Sequence, residues 1–106
     1  MFDLGYEERQ PTREEIGALE GAAIVIFGTN WCGYCRAAHR VFEQTLADYP
    51  EIQVIKVEDG KGRPLGRFFR VKLWPTMVVL RDGVEVARAV RPNKPAQILD
   101  ALSSVI

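Results

Sequence analysis

The chain is poor in several features that mark whole classes of protein. Cysteine occurs only at positions 32 and 35, which excludes a disulfide-rich secreted scaffold. A single histidine, His39, leaves little material for histidine-based metal sites. The longest apolar runs, AAIVIF and TMVVL, are six and five residues, far short of the about 20 needed for a membrane-spanning helix. Neither sign of charge prevails: 14 Lys and Arg balance 14 Asp and Glu, so nothing draws the chain to nucleic acid or an anionic membrane. The opening MFDLGYEERQ mixes charges before any apolar run and lacks the pattern of a signal peptide, so a cytoplasmic location is expected. No repeat, linker or low-complexity segment interrupts the 106 residues. One domain spanning 1–106 is therefore expected, and 47% hydrophobic residues suffice for its core.

What is present is a regular alternation of helix and strand signals. Thr12-Arg13-Glu14-Glu15 reads as a capping box that opens a helix over about 13–20, closed by Gly21. Residues 22–27 form a continuous apolar, β-branched run, the pattern of a strand buried on both faces. From Gly33 to Tyr49, apolar residues recur at spacings of three and four until Pro50 stops the helix. Ile52, Val54, Ile55 and Val57 mark another buried strand, followed by Gly60, Gly62 and Pro64 and a short helix over 65–70. Asp82-Gly83 between the β-rich runs 76–80 and 84–90 predicts a hairpin, and Pro95 opens a closing helix with Ile98, Leu99 and Leu102 on its apolar stripe. The order implies an α/β fold: a central mixed sheet of four or five strands with helices on both faces. Phe2 to Tyr6 leaves the fifth, edge strand open.

The two cysteines follow the first strand directly, at the start of a helix. Unpaired backbone N–H groups converge there, and their dipoles favour thiolate over thiol. Cys32 is thus the expected nucleophile and Cys35, one turn on, the resolving thiol. Cys32 would attack a substrate disulfide, and Cys35 would displace the reduced substrate from the mixed disulfide. A cysteine pair this close in a cytosolic chain is more often catalytic or metal-binding than structural.

Three features together carry a family resemblance: Trp31-Cys32-Gly33-Tyr34-Cys35 after the strand, Trp74-Pro75-Thr76 downstream, and the Asp82-Gly83 hairpin before a final helix. On these the chain resembles the thioredoxin family over nearly its whole length. The resemblance implies the thioredoxin fold and a thiol-disulfide oxidoreductase whose only redox group is its own Cys32/Cys35 pair, without a cofactor. It implies a cis bond before Pro75, and a substrate surface made by Trp31, Gly33, Tyr34, Trp74, Pro75 and Thr76, in which the backbone of Trp74 pairs with an extended substrate segment. Partners are then disulfide-containing proteins and a reductase or low-molecular-weight thiol for recycling, and the molecule is expected to act as a monomer. The residues alone leave Trp31 open between rim and core, and Pro75 would otherwise be the start of a strand.

The sequence also departs from that family. Ile26 stands where thioredoxins carry a buried aspartate that accepts the resolving thiol's proton. Lys56 matches a family lysine; half-buried without its carboxylate, it should have a depressed pKa and could modulate proton transfer, although a snorkelling surface lysine is an equal reading. Gly33-Tyr34 replaces Gly-Pro between the cysteines, as in certain disulfide isomerases, and a tyrosine there also occurs in glutaredoxins. Loss of the proline implies a couple more oxidising than about −270 mV, near about −200 mV. Arg91-Pro92 replaces a glycine that lets partner proteins approach.

Other readings are weaker. Cys32, Cys35 and His39 could share a helix face as metal ligands, but a structural zinc site needs a fourth, so no metal is expected and His39 reads as a solvated helix residue. The glycine pair of a glutathione-binding glutaredoxin is missing after Pro75. A non-catalytic peptide-binding module with the same fold remains an alternative, as does isomerase- or glutaredoxin-like exchange.

Overall fold

The computed structural model describes residues 3–106. Eight elements follow one another: α1 (Arg13–Gly17), β1 (Ala22–Gly28), α2 (Gly33–Leu46), β2 (Gln53–Glu58), α3 (Pro64–Phe68), β3 (Thr76–Arg81), β4 (Val84–Val90) and α4 (Pro95–Leu102). The strands form one mixed sheet in the order β2-β1-β3-β4. β1 runs parallel to β2 and antiparallel to β3, and β3 pairs antiparallel with β4. The thioredoxin fold is thus present, with four strands among the described residues.

Side chains alternate across the sheet, and each face builds its own core. Ile24 and Ile26 of β1 join Met77 and Val79 of β3 beneath α2 and α4. Ala23, Val25 and Phe27 join Val78 and Leu80 beneath α1 and α3. β1 is the strand that must be apolar on both sides, and its uninterrupted apolar run meets that demand. β2 corrects the expectation of a buried strand: β2 lies at the sheet's edge, and its first two residues, Gln53 and Val54, are exposed, Val54 by 40%.

The capping box forms as read. Thr12 Oγ1 accepts from the Glu15 N–H at 3.0 Å, and the Thr12 N–H donates to Glu15 Oε1 at 2.9 Å. α1 nevertheless ends at Gly17 instead of residue 20. Glycine is a poor helix former, and Gly17 packs its backbone on the hairpin turn: a Cβ on Gly83 would lie 2.2 Å from the Gly17 carbonyl oxygen. Gly21 then serves the strand, donating its N–H to Asp82 Oδ1 at 2.8 Å and accepting the Asp82 N–H at 2.9 Å. Asp82 and Gly83 both have positive φ, 51° and 80°, as a two-residue type I′ turn requires. α2 stops at Leu46, before the expected Tyr49: the chain tightens there, the Asp48 and Tyr49 N–H groups donating to the Thr45 and Leu46 carbonyls three residues back at 3.4 and 3.0 Å, and Pro50 has no N–H with which to continue. α3 begins at Pro64 and closes at Phe68, and Arg70 turns left-handed at φ 58°.

Of the N-terminal edge considered for a strand, Phe2 lies outside the described residues. The segment that follows makes one isolated parallel bridge, Glu7 to Val57. Leu4 and Tyr6 turn into the core. The Asn30 side chain pins both: its Oδ1 accepts the Leu4 and Tyr6 N–H groups at 3.0 and 3.1 Å, and its Nδ2 donates to the Tyr6 carbonyl at 3.1 Å. Among the described residues, no helix is long and apolar enough to cross a membrane.

Candidate active site

Cys32 is the N-cap of α2, in extended backbone conformation, and its Sγ accepts the Cys35 N–H at 3.2 Å. The sulfur therefore sits against the unpaired amides of the helix start, where negative charge is favoured. Both cysteines are free thiols; Cys32 is partly exposed and Cys35 is buried. The amphipathic period of α2 explains the difference, since Cys35 lies on the same inward stripe as Ala38 and Phe42. One thiol faces solvent and the other stands behind it.

The rim is apolar and open. Trp31 is 72% exposed and Tyr34 59%, which decides between rim and core for Trp31. Gly33 between them is also exposed. The Trp74-Pro75 peptide is cis. Trp74 is half-buried, packs against the cluster that holds Cys35, and donates Nε1 to Asp59 Oδ2 at 2.8 Å. Pro75 and Thr76 are buried, and Thr76 donates its hydroxyl to the Leu73 carbonyl at 2.6 Å. A cavity of about 300 Å³ beside Trp74 is lined by Lys61, Arg63, Arg67 and Lys72 with Asp59, so this side of the rim is basic.

Arg91 ties the two halves of the rim together. Its backbone N–H donates to the Pro75 carbonyl at 2.8 Å, its Nε donates to the Trp74 carbonyl at 2.8 Å, and its guanidinium stacks 3.7 Å from the Tyr34 ring centroid. It does so from left-handed backbone, φ 49°, a conformation that a branched or long side chain adopts at a cost.

Behind Cys35 the packing is unusually close. A Cβ on Gly28 would lie 2.6 Å from Cys35 Sγ and 2.9 Å from Tyr6 Cζ, so only glycine allows the sulfur and the phenol ring to meet there. Burial pushes the Cys35 thiol up to about 12, and its neighbour Cys32 pushes in the same direction; the Thr29 backbone N–H and the Tyr6 hydroxyl work the other way. Burial and then the negative charge of Cys35 also hold Tyr6 above an ordinary phenol. Ile26 lies in this core without a polar atom to offer.

Lys56 is more buried than a snorkelling lysine, with 12% of its side chain exposed. Nζ donates to the Leu4 carbonyl at 2.7 Å, lies 3.2 Å from His39 Nδ1 and 3.9 Å from Glu43 Oε1, and sits 5.1 Å over the Tyr6 ring. Burial lowers its pKa, and Glu43 and Cys35 oppose that shift. His39 is thus half-buried against Lys56, which corrects its reading as a solvated residue. Among the described residues, no three His, Cys, Asp or Glu side chains gather as a metal site.

Cys32 and Cys35 are readable as a reactive pair because strand, C-x-x-C and helix are contiguous, whereas Tyr34 and Trp74 enter the site through the family resemblance. Tyr6, Gly28 and Asn30 were missed. Asn30, a polar residue directly before Trp31-Cys32, was the one local signal; Tyr6 offered none.

A family model described as Thioredoxin matches residues 8–104. Thioredoxin from Chlamydia trachomatis is 34% identical over 71 residues, covering 66% of this chain and 69% of its own. Thioredoxin H2-1 of rice is 31% identical over 67% of this chain, which spans about half, 51%, of that relative. The structure of reduced thioredoxin 2 from Pseudomonas aeruginosa PAO1 superposes with a TM-score of 0.85 at 51% identity, covering 94% of this chain and 93% of that one.

Proposed function

The chain belongs to the thioredoxin family of thiol-disulfide oxidoreductases, and from that premise we propose that it exchanges protein disulfides with Cys32 as nucleophile and Cys35 as resolving thiol. The observation that carries this reading is the placement of the pair: Cys32 partly exposed at a helix N-cap, Cys35 buried one turn behind it. Cys32 Sγ, placed at the helix N-cap and accepting the Cys35 N–H, attacks a substrate sulfur and forms a mixed disulfide. Once Cys32 is tied up in that bond it carries no charge. The upward push that its charge exerts on the Cys35 thiol disappears, so capture itself prepares the second step. Cys35 then attacks Cys32, the Cys32–Cys35 disulfide closes, and the reduced substrate leaves.

Trp31, Gly33, Tyr34, Trp74, Pro75 and Thr76 form the substrate surface in this reading. Trp31 and Tyr34 supply exposed flat area, Trp74 supplies backbone, and Pro75 and Thr76 hold that backbone in place. Lys56 modulates proton transfer through its charge near Cys35. The redox-active dithiol is the only redox group, with no cofactor or metal. In this reading the protein acts as a cytoplasmic monomer and is recycled by a reductase or a low-molecular-weight thiol.

Turnover of a disulfide-bonded peptide, followed with dithiothreitol as reductant, tests the reading. Cys32→Ser should abolish turnover, and Cys35→Ser mixed with the peptide in the absence of dithiothreitol should accumulate the mixed disulfide, visible as added mass. An inactive wild-type protein would favour a peptide-binding module.

A further inference from the structure

The Tyr6 hydroxyl is a buried polar group in need of an explanation. Tyr6 is 4% exposed, and in the resting thiol state its Oη makes no well-formed hydrogen bond, although it lies near enough to Cys35 to act on that thiol's ionisation. An unpaired buried hydroxyl is costly, on the order of 1–3 kcal/mol, and phenylalanine would fill the same space without that cost. The ring is nevertheless held with care: Asn30, from the loop that carries Cys32, bonds the Tyr6 N–H and carbonyl, and Gly28 gives up a side chain to let the ring approach Cys35 Sγ.

We propose that Tyr6 serves the resolving step: its hydroxyl donates a hydrogen bond to the Cys35 sulfur as the thiol becomes a thiolate, in the absence of any carboxylate at Ile26. The hydroxyl that is unpaired beside a neutral thiol gains a strong, charge-assisted partner beside a thiolate. Its contribution is therefore larger in the reacting state than in the resting state, which is the condition for accelerating a step. The Thr29 backbone N–H acts on the same sulfur in the same sense.

The step balances without an outside reagent. Cys35 loses its S–H proton, its sulfur forms a bond to Cys32 Sγ, and the bond from Cys32 Sγ to the substrate sulfur breaks. The electron pair departs with the substrate sulfur, which takes up one proton through water. The charged and titratable groups facing the Tyr6–Cys35 pair are Cys32 from the start of α2 and Lys56 from β2; Asp3 of the N-terminal segment and Glu43 and His39 of α2 reach it through Lys56.

This inference rests on the exchange reaction proposed above and fails separately from it. In single-turnover mixing with a disulfide peptide, capture by Cys32 and release by Cys35 are separate phases. Tyr6→Phe should slow release relative to capture by about tenfold, the loss of one hydrogen bond to a charged group, and should move the pH profile of release to higher pH. The melting temperature of the reduced variant should not fall, because no bond is lost in the resting thiol state. As a second measurement, ultraviolet titration of Cys35 in a Cys32→Ser background should shift to higher pH when Tyr6→Phe is added. Release at the wild-type rate with an unshifted profile, or an unshifted Cys35 titration, overturns the role of Tyr6 while leaving the dithiol reaction standing. Loss of turnover in the wild-type protein would instead overturn the reaction itself.

Discussion

At the scale of single residues, Cys35 and Asn30 carry the most testable energies. An unfolded cysteine titrates near about 8.5, whereas burial pushes folded Cys35 up to about 12. Between these values the unfolded chain has released a proton that the folded chain retains, so stability falls as pH rises. The contribution is present in full below about 8.5 and is lost towards about 12. Lys56 acts in the opposite sense below the ordinary lysine pKa, because its lowered value makes the folded state the one that has lost the proton. A comparison isolates the thiol: urea unfolding of the reduced protein should weaken more steeply above pH about 9 than that of Cys35→Ala. Equal slopes would remove Cys35 as the cause. Asn30→Ala strips three hydrogen bonds from the N-terminal segment and leaves buried amides unpaired. A loss of about 2 kcal/mol in denaturant unfolding is expected.

At the scale of elements, turns and straps matter more than strands. The β3–β4 hairpin is locked to α1 through Gly83, where any Cβ meets the Gly17 backbone at 2.2 Å and the φ of +80° already disfavours a side chain. Gly83→Ala should cost at least about 2 kcal/mol, read from the unfolding midpoint at unchanged denaturant slope. The loop after β4 presents Arg91 across the rim, where it occupies the Trp74 carbonyl and covers one face of Tyr34. An extended substrate that seeks the same carbonyl must displace it. Arg91→Gly relieves the left-handed backbone and opens that acceptor, so the ratio of kcat/KM for a protein disulfide to that for a small aromatic disulfide should rise several-fold. A fall in that ratio would mean that the guanidinium recruits substrates instead of competing with them.

At the scale of the whole molecule, the relevant property is the balance between thiols and disulfide. Gly33-Tyr34 replaces the Gly-Pro of thioredoxins, and no carboxylate faces Cys35 from Ile26. Equilibration with glutathione should therefore give a potential above about −270 mV, nearer about −200 mV. A value at or below the thioredoxin level would show that the surrounding fold, and not the intervening dipeptide, sets the couple. The sheet that holds the pair was legible where both neighbours of a strand are fixed by chemistry: β1 must be apolar on both faces, and Asp82-Gly83 can scarcely be anything but a turn. It was less legible at β2, because Val54 and Ile55 are apolar whether their strand is central or at the edge.

Local patterning determined the elements, the reactive pair and its position at a helix start, because these depend on neighbours within a few residues: a period of two or three and a half, a capping box, a C-x-x-C after a strand. Only the tertiary structure decided what surrounds the pair. Tyr6 reaches Cys35 because Gly28 leaves space and Asn30 ties down the N-terminal segment, and Arg91 reaches Trp74 because β4 ends beside the cis peptide. Those contacts join residues far apart in the chain, and their geometry depends on how the sheet brings strand ends together, which no local period encodes.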